Sequence, residues 1–431
     1  MRPLRKLAVR GDDMDTEVLH LLDLETGRQS SSLSLIASEN IVSDQVRHAL
    51  GSSFTNKTVE GRPKARFHTG CTVADEIELL ARARACDLFR CKSANVQPHS
   101  CTQANHAALL AVLEPGETVL SMSLRDGGHI SHGLSRNLTG KLYKVVHYGV
   151  RRDDGLVDLE VVEALAHQFS PKVIIVGSSS YSRELNFEGF AAIAKSVGAT
   201  LLADVAHIAG LVVAGVHASP AGHADIVTTS TYKTLRGPRG GIVLANDDGI
   251  MNRIDKMVFP GLQGTPCLNT IAAKAVCLGE AKQDEFRAYA RKVVLNARHL
   301  SSVFSDRRLR VVTGGTDTHL VLVDLRDLRL TGIRSAQALE RAGILCNMNL
   351  VPFDEQGPNV CSGLRFGLSA ATTLGLTPND IEHVGNLIVD ILEALVSDHD
   401  VEYHVRRAQC AIQEVLFASK EEARSEEEVV H

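Results

Sequence analysis

The sequence predicts an α/β protein: a large domain with a mostly parallel sheet, followed by a smaller α+β domain. From about residue 74, short apolar strands alternate with segments of helical spacing, as is typical of a parallel sheet covered on both faces. The 431 residues, 44% of them hydrophobic, suffice for two or three domains with a sizeable core. We predict an N-terminal arm at 1–40, a large domain at 41–290, and a small C-terminal domain with an acidic tail at 291–431.

The arm and the large domain are predicted to contain short elements. The arm holds an amphipathic helix, Asp15–Glu25, followed by the polar run Gln29–Ser32. Helical spacing indicates helices of the large domain at Glu76–Phe89, Gln103–Leu113 and Phe190–Val197. Apolar runs predict its strands at Ser93–Val96, Thr118–Ser121, Lys172–Val176, Thr200–Asp204, Asp225–Thr231 and Gly241–Ala245.

A single long helix, about Thr270–Phe304, is predicted to lead into the small domain. The elements predicted for that domain are strands at Leu320–Asp324 and Leu364–Gly367 and helices at Asp380–Val396 and Tyr403–Phe417. After Lys420 the chain is rich in glutamate, so we expect a solvated, frayed end.

Composition excludes several classes of protein. The net charge of -5 gives no basic field for nucleic acid or an anionic membrane. The longest apolar runs, such as Val173–Val176, are too short to span a bilayer, and the basic N-terminus lacks the apolar segment of a signal peptide. The nine cysteines are scattered without a CxxC pair, which argues against disulfides or zinc and favours reduced thiols in the cytoplasm.

Lys233 follows the predicted strand Asp225–Thr231, in the run TTSTYKTLRGPRGG. A lysine forms a Schiff base only where its ammonium group is destabilised enough to deprotonate near neutral pH. A strand end beside Arg236 and Arg239 provides such a setting, and the glycines that follow allow the chain to turn closely under a cofactor. We therefore predict that Lys233 holds pyridoxal phosphate, although Lys233 taken alone would be interpreted as an exposed loop lysine.

Asp204 ends the apolar strand of LLADVAH, where a carboxylate is costly unless it is paired. The pyridinium nitrogen of pyridoxal phosphate is the partner expected for such a group. His207, three residues further on, either touches the cofactor or substrate or is a structural histidine. Arg365, in SGLRFG, offers a bidentate grip on an amino-acid carboxylate, and a surface ion pair is the alternative.

Two loops complete the predicted site. HSCTQAN, residues 99–105, lies between a strand and a helix, where Ser100, Thr102 and free backbone N–H groups suit a phosphate; an ordinary helix cap is the alternative. DGGHISHG, residues 126–133, places His129 on a tight loop, from which its ring could stack on a pyridine. His129 and His132 have metal-ligand spacing, but the sequence shows no third ligand, so we expect no metal.

Together these motifs resemble the serine hydroxymethyltransferase family over about residues 30–400. The matching runs, in order, are LIASEN, ANVQPHS, GGH with HG, DVAHIAGL, KTLRGPRGG, FPGLQG and GLRFG. The resemblance implies the fold-type-I, aspartate-aminotransferase-like architecture of pyridoxal-phosphate-dependent transferases. It also implies a small amino-acid substrate and a homodimer whose active sites are made from both subunits.

The resemblance implies residue roles as well. Lys233 would bind the cofactor covalently, Asp204 would pair with its ring nitrogen, and His129 would stack on its ring. The other implied cofactor contacts are Ser100, Cys101, Thr102, Ser179, His207 and Tyr232, with Gly264 and Thr265 reaching the phosphate in the neighbouring subunit. The implied substrate contacts are Ser38, Thr58, Phe67, His68, Arg365 and the acid/base residue Glu60. Leu124, Glu60 and Asn349 fit the family's folate contacts, while tetrahydrofolate use stays open.

The departures from the family pattern cluster in the site. Thr58 replaces a tyrosine that reaches the neighbouring site, and Phe67 and His68 replace a tyrosine pair beside substrate and folate. The other departures are Cys101 for a glycine, Tyr232 for a histidine and Thr265 for a glycine. Losing two phenols enlarges the substrate pocket, and His68 adds a group that titrates near neutral pH. Neutral drift in an ordinary family member is the alternative explanation.

Three functions remain open at this point. The first is aldol-type Cα–Cβ cleavage or hydroxymethyl transfer through an external aldimine and a Cα carbanion, on serine, α-methylserine or a threonine-type substrate, with Glu60 or His129 managing the hydroxyl proton. The second is a relative repurposed for specialised metabolism, such as antibiotic biosynthesis, that performs β-elimination or decarboxylation-coupled transamination on a bulkier amino acid. The third is an inactive regulatory paralogue, which Lys233, Asp204 and Arg365 argue against.

Overall fold

A computed structural model describes residues 15–430, and for residues 420–430 it describes the backbone alone. The basic N-terminus, the first part of the predicted arm and the side chains of the acidic tail therefore lie outside the described residues. The α-helices of the described part are, in chain order, α1 Thr16–Ser31, α2 Asp44–Leu50, α3 Thr72–Phe89, α4 Cys101–Val112, α5 Leu138–Leu142, α6 Leu159–Phe169, α7 Phe187–Val197, α8 Ala209–Val213, α9 Asp248–Lys256, α10 Leu268–Glu280, α11 Asp284–Asp306, α12 Gly332–Arg341, α13 Ser369–Thr373, α14 Pro378–Ser397 and α15 Val401–Val430.

The strands of the described part form two main sheets and two small pairings. They are β1 Leu33–Ser34, β2 Gly61–Arg62, β3 Ala65–Arg66, β4 Ser93–Asn95, β5 Thr118–Met122, β6 Lys144–Tyr148, β7 Val173–Gly177, β8 Thr200–Asp204, β9 Ile226–Ser230, β10 Gly241–Ala245, β11 Arg310–Val311, β12 Leu320–Asp324, β13 Ile344–Leu345, β14 Asn347–Asn349 and β15 Gly363–Gly367.

The larger sheet is mostly parallel, as the alternation of strands and helices predicted. Its strand order is β4-β10-β9-β8-β7-β5-β6, and only β10 runs antiparallel to its two neighbours. Strands β7, β9 and β10 are buried along their whole length, which explains their continuous apolar sequences. The carboxyl ends of β8 and β9 meet at one edge, and this edge carries Asp204 and Lys233.

The smaller sheet, of order β11-β12-β15-β14, is antiparallel and contacts α11 and α12, and α14 packs on both of these helices. Its core includes Leu33 and Leu35 from the arm, because β1 pairs in parallel with β13. The core of the large sheet extends along α11 to Val294, whereas the core of the small sheet begins at Ala297. We therefore propose that the domain boundary, predicted at residue 290, lies inside α11.

Several predicted elements differ from the structure. The single helix over Thr270–Phe304 is wrong: α10 ends at Glu280 and α11 begins at Asp284. The arm helix continues to Ser31 through the predicted polar run, and the backbone of the tail stays helical to Val430 where a frayed end was expected. Strand β6 and helix α6 were not predicted.

Two further findings concern the chain as a whole. No helix in the described part combines the length and the apolar character needed to cross a membrane. All nine cysteines are free thiols, and several of them, including Cys101 and Cys277, are buried.

Candidate active site

The candidate site is a cavity at the carboxyl edge of the parallel strands. Open α/β sheets bind their ligands at this edge. The residues that line the cavity are Ser100, Cys101, Thr102, His129, His132, Ser178, Ser179, Asp204, Ala206, His207, Tyr232 and Lys233. Every cofactor contact predicted from the sequence is among them, except Gly264 and Thr265.

Lys233 is 5% exposed and reaches this cavity from the loop after β9. Burial lowers the pKa of its ammonium group to about 8; Cys101 and Asp204 oppose this shift, while the charges of Arg365 and Arg239 add to it. Asn40 donates from Nδ2 to the Lys233 carbonyl at 2.8 Å, which fixes the backbone of the loop. A substantial fraction of Lys233 is therefore a neutral amine at mildly alkaline pH.

Asp204 is buried and holds several hydrogen bonds. Its Oδ2 accepts from Asn105 Nδ2 at 2.7 Å and contacts His132 Nε2 at 2.9 Å, while its Oδ1 accepts from the Ala206 N–H at 3.0 Å. Burial alone would raise the pKa of Asp204, but the hydrogen bond and charge of His132, the charge of His129 and the Asn105 bond hold it well below its usual range. Asp204 is therefore an anion at the base of the cavity.

His132 was considered in the sequence only as a metal ligand, and the structure gives it a different setting. Donor atoms of His129, His132 and Asp204 lie within 4.8 Å of one another, so Asp204 offers the third candidate donor that the sequence did not reveal. These donors already have partners, however. His132 Nε2 bonds Asp204, its Nδ1 accepts from the His129 N–H at 3.3 Å, and His129 Nδ1 lies 2.7 Å from Ser131 Oγ. Hydrogen bonding alone explains the cluster, and we keep the expectation of no metal as a proposal.

Two histidines of the cavity, His129 and His207, are held neutral. Burial lowers the pKa of His129 to about 4, the charge of Asp204 only partly offsetting it. Burial, followed by the charges of Lys233 and Arg365, holds the pKa of His207 well below its usual range. His207 stacks on His319, with 5.5 Å between ring centroids, and His319 Nε2 lies 3.1 Å from the Ala37 carbonyl, beside Ser38. His319 was missed because only the tertiary packing brings it here.

The predicted phosphate loop leads into α4. Ser100 caps this helix by accepting the Gln103 N–H at 3.1 Å, so the predicted cap is present at the same place as the predicted anion site. The Sγ of Cys101 lies 3.6 Å from Asp204 Oδ1, and burial, with the nearby Asp204 charge, raises the pKa of this thiol well above its usual value. Cys101 is therefore a neutral donor beneath the cavity, unlike a reactive thiolate.

Arg365 lies on β15 of the small sheet and borders the cavity through Ser179. Its Nη1 donates to the Ser179 carbonyl, and its Nη2 donates to Asn347 Oδ1 at 3.0 Å. The side chain is buried, its Nε has no partner, and it forms no ion pair with any described residue. Burial lowers its pKa to about 10. The alternative of a surface ion pair is therefore wrong, since Arg365 is an uncompensated cation inside the protein.

A second group of predicted residues lies away from this cavity. Glu60, Phe67 and His68 flank the hairpin β2–β3, and Thr265 Oγ1 donates to Glu60 Oε1 at 3.3 Å. Phe67 is 75% exposed and contacts only Phe259 among described rings, at 5.6 Å. The group as a whole comprises Thr58, Glu60, Phe67, His68, Gly264 and Thr265, and none of these lines the cavity of the same chain.

Comparison with known proteins decides the family. The family model described as "Serine hydroxymethyltransferase" matches residues 12–388, nearly the whole chain. The chain belongs to the serine hydroxymethyltransferase family. It is accordingly an enzyme of the pyridoxal-phosphate-dependent transferase class with the fold-type-I architecture, as the resemblance implied.

Similar relatives span the same length. A serine hydroxymethyltransferase of Ehrlichia ruminantium is 49% identical over 395 residues, 92% of this chain and 94% of the relative. One from Wolbachia pipientis is 50% identical over 394 residues, covering 91% and 93%. The protein named serine hydroxymethyltransferase 2 of Burkholderia pseudomallei is 51% identical over 399 residues, covering 92% and 94%.

Proposed function

We propose that this family member binds pyridoxal 5'-phosphate at Lys233 and performs aldol-type Cα–Cβ cleavage or hydroxymethyl transfer on a β-hydroxy amino acid such as serine, α-methylserine or threonine. The observation that supports this proposal most directly is the environment of Arg365. It is a buried cation without a carboxylate partner among described residues, and it borders the cavity through Ser179. A substrate carboxylate would supply the missing partner.

The residues of the cavity fit the cofactor. Ser100, Thr102 and the start of α4 would hold its phosphate, and Asp204, an anion, would keep a proton on its ring nitrogen. His129, being neutral, would lie flat on the ring, while Ser179 and His207 would lie beside its O3′ atom and Tyr232 beside the phosphate loop. When bound, pyridoxal phosphate supplies an electron sink for the electron pair released at Cα.

We place the second residue group in the site of a partner subunit. Glu60 of the partner subunit would take the proton of the substrate β-hydroxyl, and Gly264 and Thr265 would complete the phosphate site across a homodimer. The exposed apolar side chains on α1 and α3 support such an interface: Val18, Leu21, Leu22, Leu24, Val73, Leu79 and Leu80. The free thiols of the chain fit a reducing compartment, so we place the enzyme in the cytoplasm.

A second candidate is β-elimination or decarboxylation-coupled transamination on a bulkier amino acid. It is favoured by Thr58 and His68, which are exposed and replace two phenols of the family pattern. Fewer phenols leave more volume beside the side chain of the substrate.

The test is a product panel with purified holoenzyme and a series of β-hydroxy and β-thio amino acids. Aldol chemistry gives glycine or alanine together with an aldehyde from the β-hydroxy substrates. Pyruvate-type products from the β-thio substrates, with neither glycine nor alanine formed from the β-hydroxy substrates, would reject it in favour of the second candidate. Tetrahydrofolate forms a separate arm: if serine cleavage is no faster with it, the enzyme does not use folate as its acceptor.

A further inference from the structure

Lys274, on α10, is a buried lysine that the proposed chemistry does not use. It is 1% exposed, and its Nζ donates to the carbonyls of Val96 at 2.6 Å, Pro98 at 2.9 Å and Gly241 at 2.9 Å. An ammonium group has three N–H donors, so these carbonyls satisfy it completely. No carboxylate of the described residues lies within ion-pair distance of it.

An uncompensated buried cation is costly, which makes its placement informative. Burial lowers the pKa of Lys274 to about 7. Near neutral pH, Lys274 is therefore charged in only part of the molecules. Glu78, the buried carboxylate whose charge acts on Lys274, is already paired with Arg66 at 2.7 Å. Carbonyl dipoles solvate the ammonium group, but they do not neutralise it, and an anion nearby would lower the cost of the charge.

The carbonyls that accept from Lys274 belong to the segment just before the predicted phosphate loop, residues 99–105, and to the first residue of β10. Val96 and Pro98 lie just before Ser100, the cap of α4. The Gly241 N–H in turn donates to the Pro98 carbonyl at 3.0 Å, so Lys274 binds both sides of this junction. The ammonium group of Lys274 therefore joins the segment before α4 to the start of β10.

The junction is closely packed around two glycines. A Cβ atom on Gly240 would lie 2.3 Å from Lys274 Cε, and one on Gly241 would lie 2.3 Å from the Ser100 carbonyl oxygen. The two glycines are thus required by the close approach of the lysine and of the loop. Lys274 and the Ser100 carbonyl therefore pack against two adjacent glycines of one segment.

We propose that Lys274 is a positioning residue for the cofactor phosphate: it fixes the loop from Val96 to Ser100 and places a positive charge behind the start of α4. This inference rests on the proposed binding of pyridoxal phosphate at Lys233. Lys274 does not touch the cofactor cavity, since it is absent from its lining, and it acts through the backbone and through its charge.

The experiment compares pyridoxal phosphate with pyridoxal, which keeps the aldehyde for Lys233 and lacks the phosphate. Apoprotein of the wild type, of Lys274→Met and of the exposed control Lys292→Met is titrated with each compound, and dissociation constants are read from absorbance. Lys274→Met should weaken pyridoxal phosphate by at least about tenfold and pyridoxal by less than about twofold, because only the former carries the anion. The control should match the wild type.

Each other outcome counts against a specific claim. An equal loss for both compounds, or no loss for either, overturns the role of Lys274 in phosphate positioning. If neither compound binds the wild-type protein covalently, the proposed function fails and not this inference alone. Should Lys274→Met lack the native circular dichroism spectrum, Lys274→Gln, which keeps donors without the charge, replaces it. Misfolding of both variants would assign Lys274 to folding and overturn the proposal.

Discussion

At the scale of the residue, Lys233 is distinguished by its neighbours. The sequence placed it after a strand near arginines, and the structure adds its burial and the Asn40 bond to its carbonyl. Asp204 and His129 were predicted, because each lies in a short sequence motif. Asn105 and His319 were not predicted, because they come from helix α4 and from the residue just before β12 and meet the site only through packing.

We predict that Lys233→Ala cannot hold pyridoxal phosphate covalently. Borohydride reduction of the wild-type holoenzyme should fix the cofactor mass on the peptide that contains Lys233, and the variant should carry none. Lys195→Ala, an exposed lysine on α7, serves as the control and should label like the wild type. A variant that still carries cofactor on another lysine would show that the assignment of Lys233 is wrong.

The pH dependence of cofactor attachment tests the environment of Lys233. Its pKa in the folded protein is lowered to about 8, so the neutral, nucleophilic fraction grows up to that pH. The rate of covalent attachment should rise about tenfold per pH unit below pH 8 and level off above it. Stopped-flow absorbance of apoprotein mixed with pyridoxal phosphate measures the profile. A rate that continues to rise toward pH 10.5, the ordinary pKa of a lysine side chain, would contradict it.

The substrate preference is predicted to follow Thr58 and His68. The double variant Thr58→Tyr, His68→Tyr restores the two phenols of the family pattern and should shrink the pocket. We expect the ratio of kcat/KM for serine to that for a bulkier β-hydroxy amino acid to rise by about tenfold. Thr69→Tyr, at the neighbouring exposed position, is the control. An unchanged ratio would favour neutral drift at Thr58 and His68.

At the scale of the element, how well a strand could be predicted from the sequence depends on how deeply it is buried. Strands β8 and β10 were predicted with their observed bounds, because fully or nearly fully buried strands have continuous apolar sequences. Strand β6 is an edge strand, only partly buried along most of its length, so its sequence KVVHY carries a weaker signal. The break between α10 and α11 lacks glycine and proline, although Asp284 and Glu285 in the first turn of α11 are typical of a helix start.

The hairpin β2–β3 depends on Arg66. Its buried guanidinium donates to Asp75 Oδ1 at 2.8 Å, to Glu78 Oε2 at 2.7 Å, and to the carbonyls of Val59, just before the hairpin, and Gly61. This network holds Glu60 and Phe67 at their positions on either side of the hairpin. Sequence alone could not reveal it, because Arg66 lies between exposed neighbours.

We predict that Arg66→Met destabilises the protein by about 3–5 kcal/mol, because it leaves the buried carboxylate of Glu78 without its partner. Urea denaturation followed by circular dichroism measures the change. Arg47→Met, which breaks an exposed i,i+3 pair with Asp44, should change stability by no more than about 0.5 kcal/mol. A loss for Arg66→Met no larger than that of the control would show that the network does not hold the hairpin.

At the scale of the whole molecule, one chain holds two groups of predicted site residues that do not meet. Lys233 and Asp204 line the cavity, while Glu60 and Thr265 contact each other beside the exposed hairpin. In the homodimer proposed above, each group would meet its complement on the other chain, so that each site would take residues from both chains. The sequence suggested this only through the family resemblance, since no local pattern encodes which chain completes a site.

Hybrid dimers test this arrangement directly. Lys233→Ala and Glu60→Gln chains, coexpressed with different tags and purified through both, should form dimers in which one of the two sites is complete. Each homodimer should be inactive, whereas the hybrid should recover about half of the wild-type activity per dimer. Lys233→Ala paired with Asp204→Ala is the control: both changes fall in the same group, so neither site of that hybrid is complete and no activity should return. Equal inactivity of both hybrids would mean that Glu60 serves the site of its own chain, and the shared-site dimer would have to be abandoned.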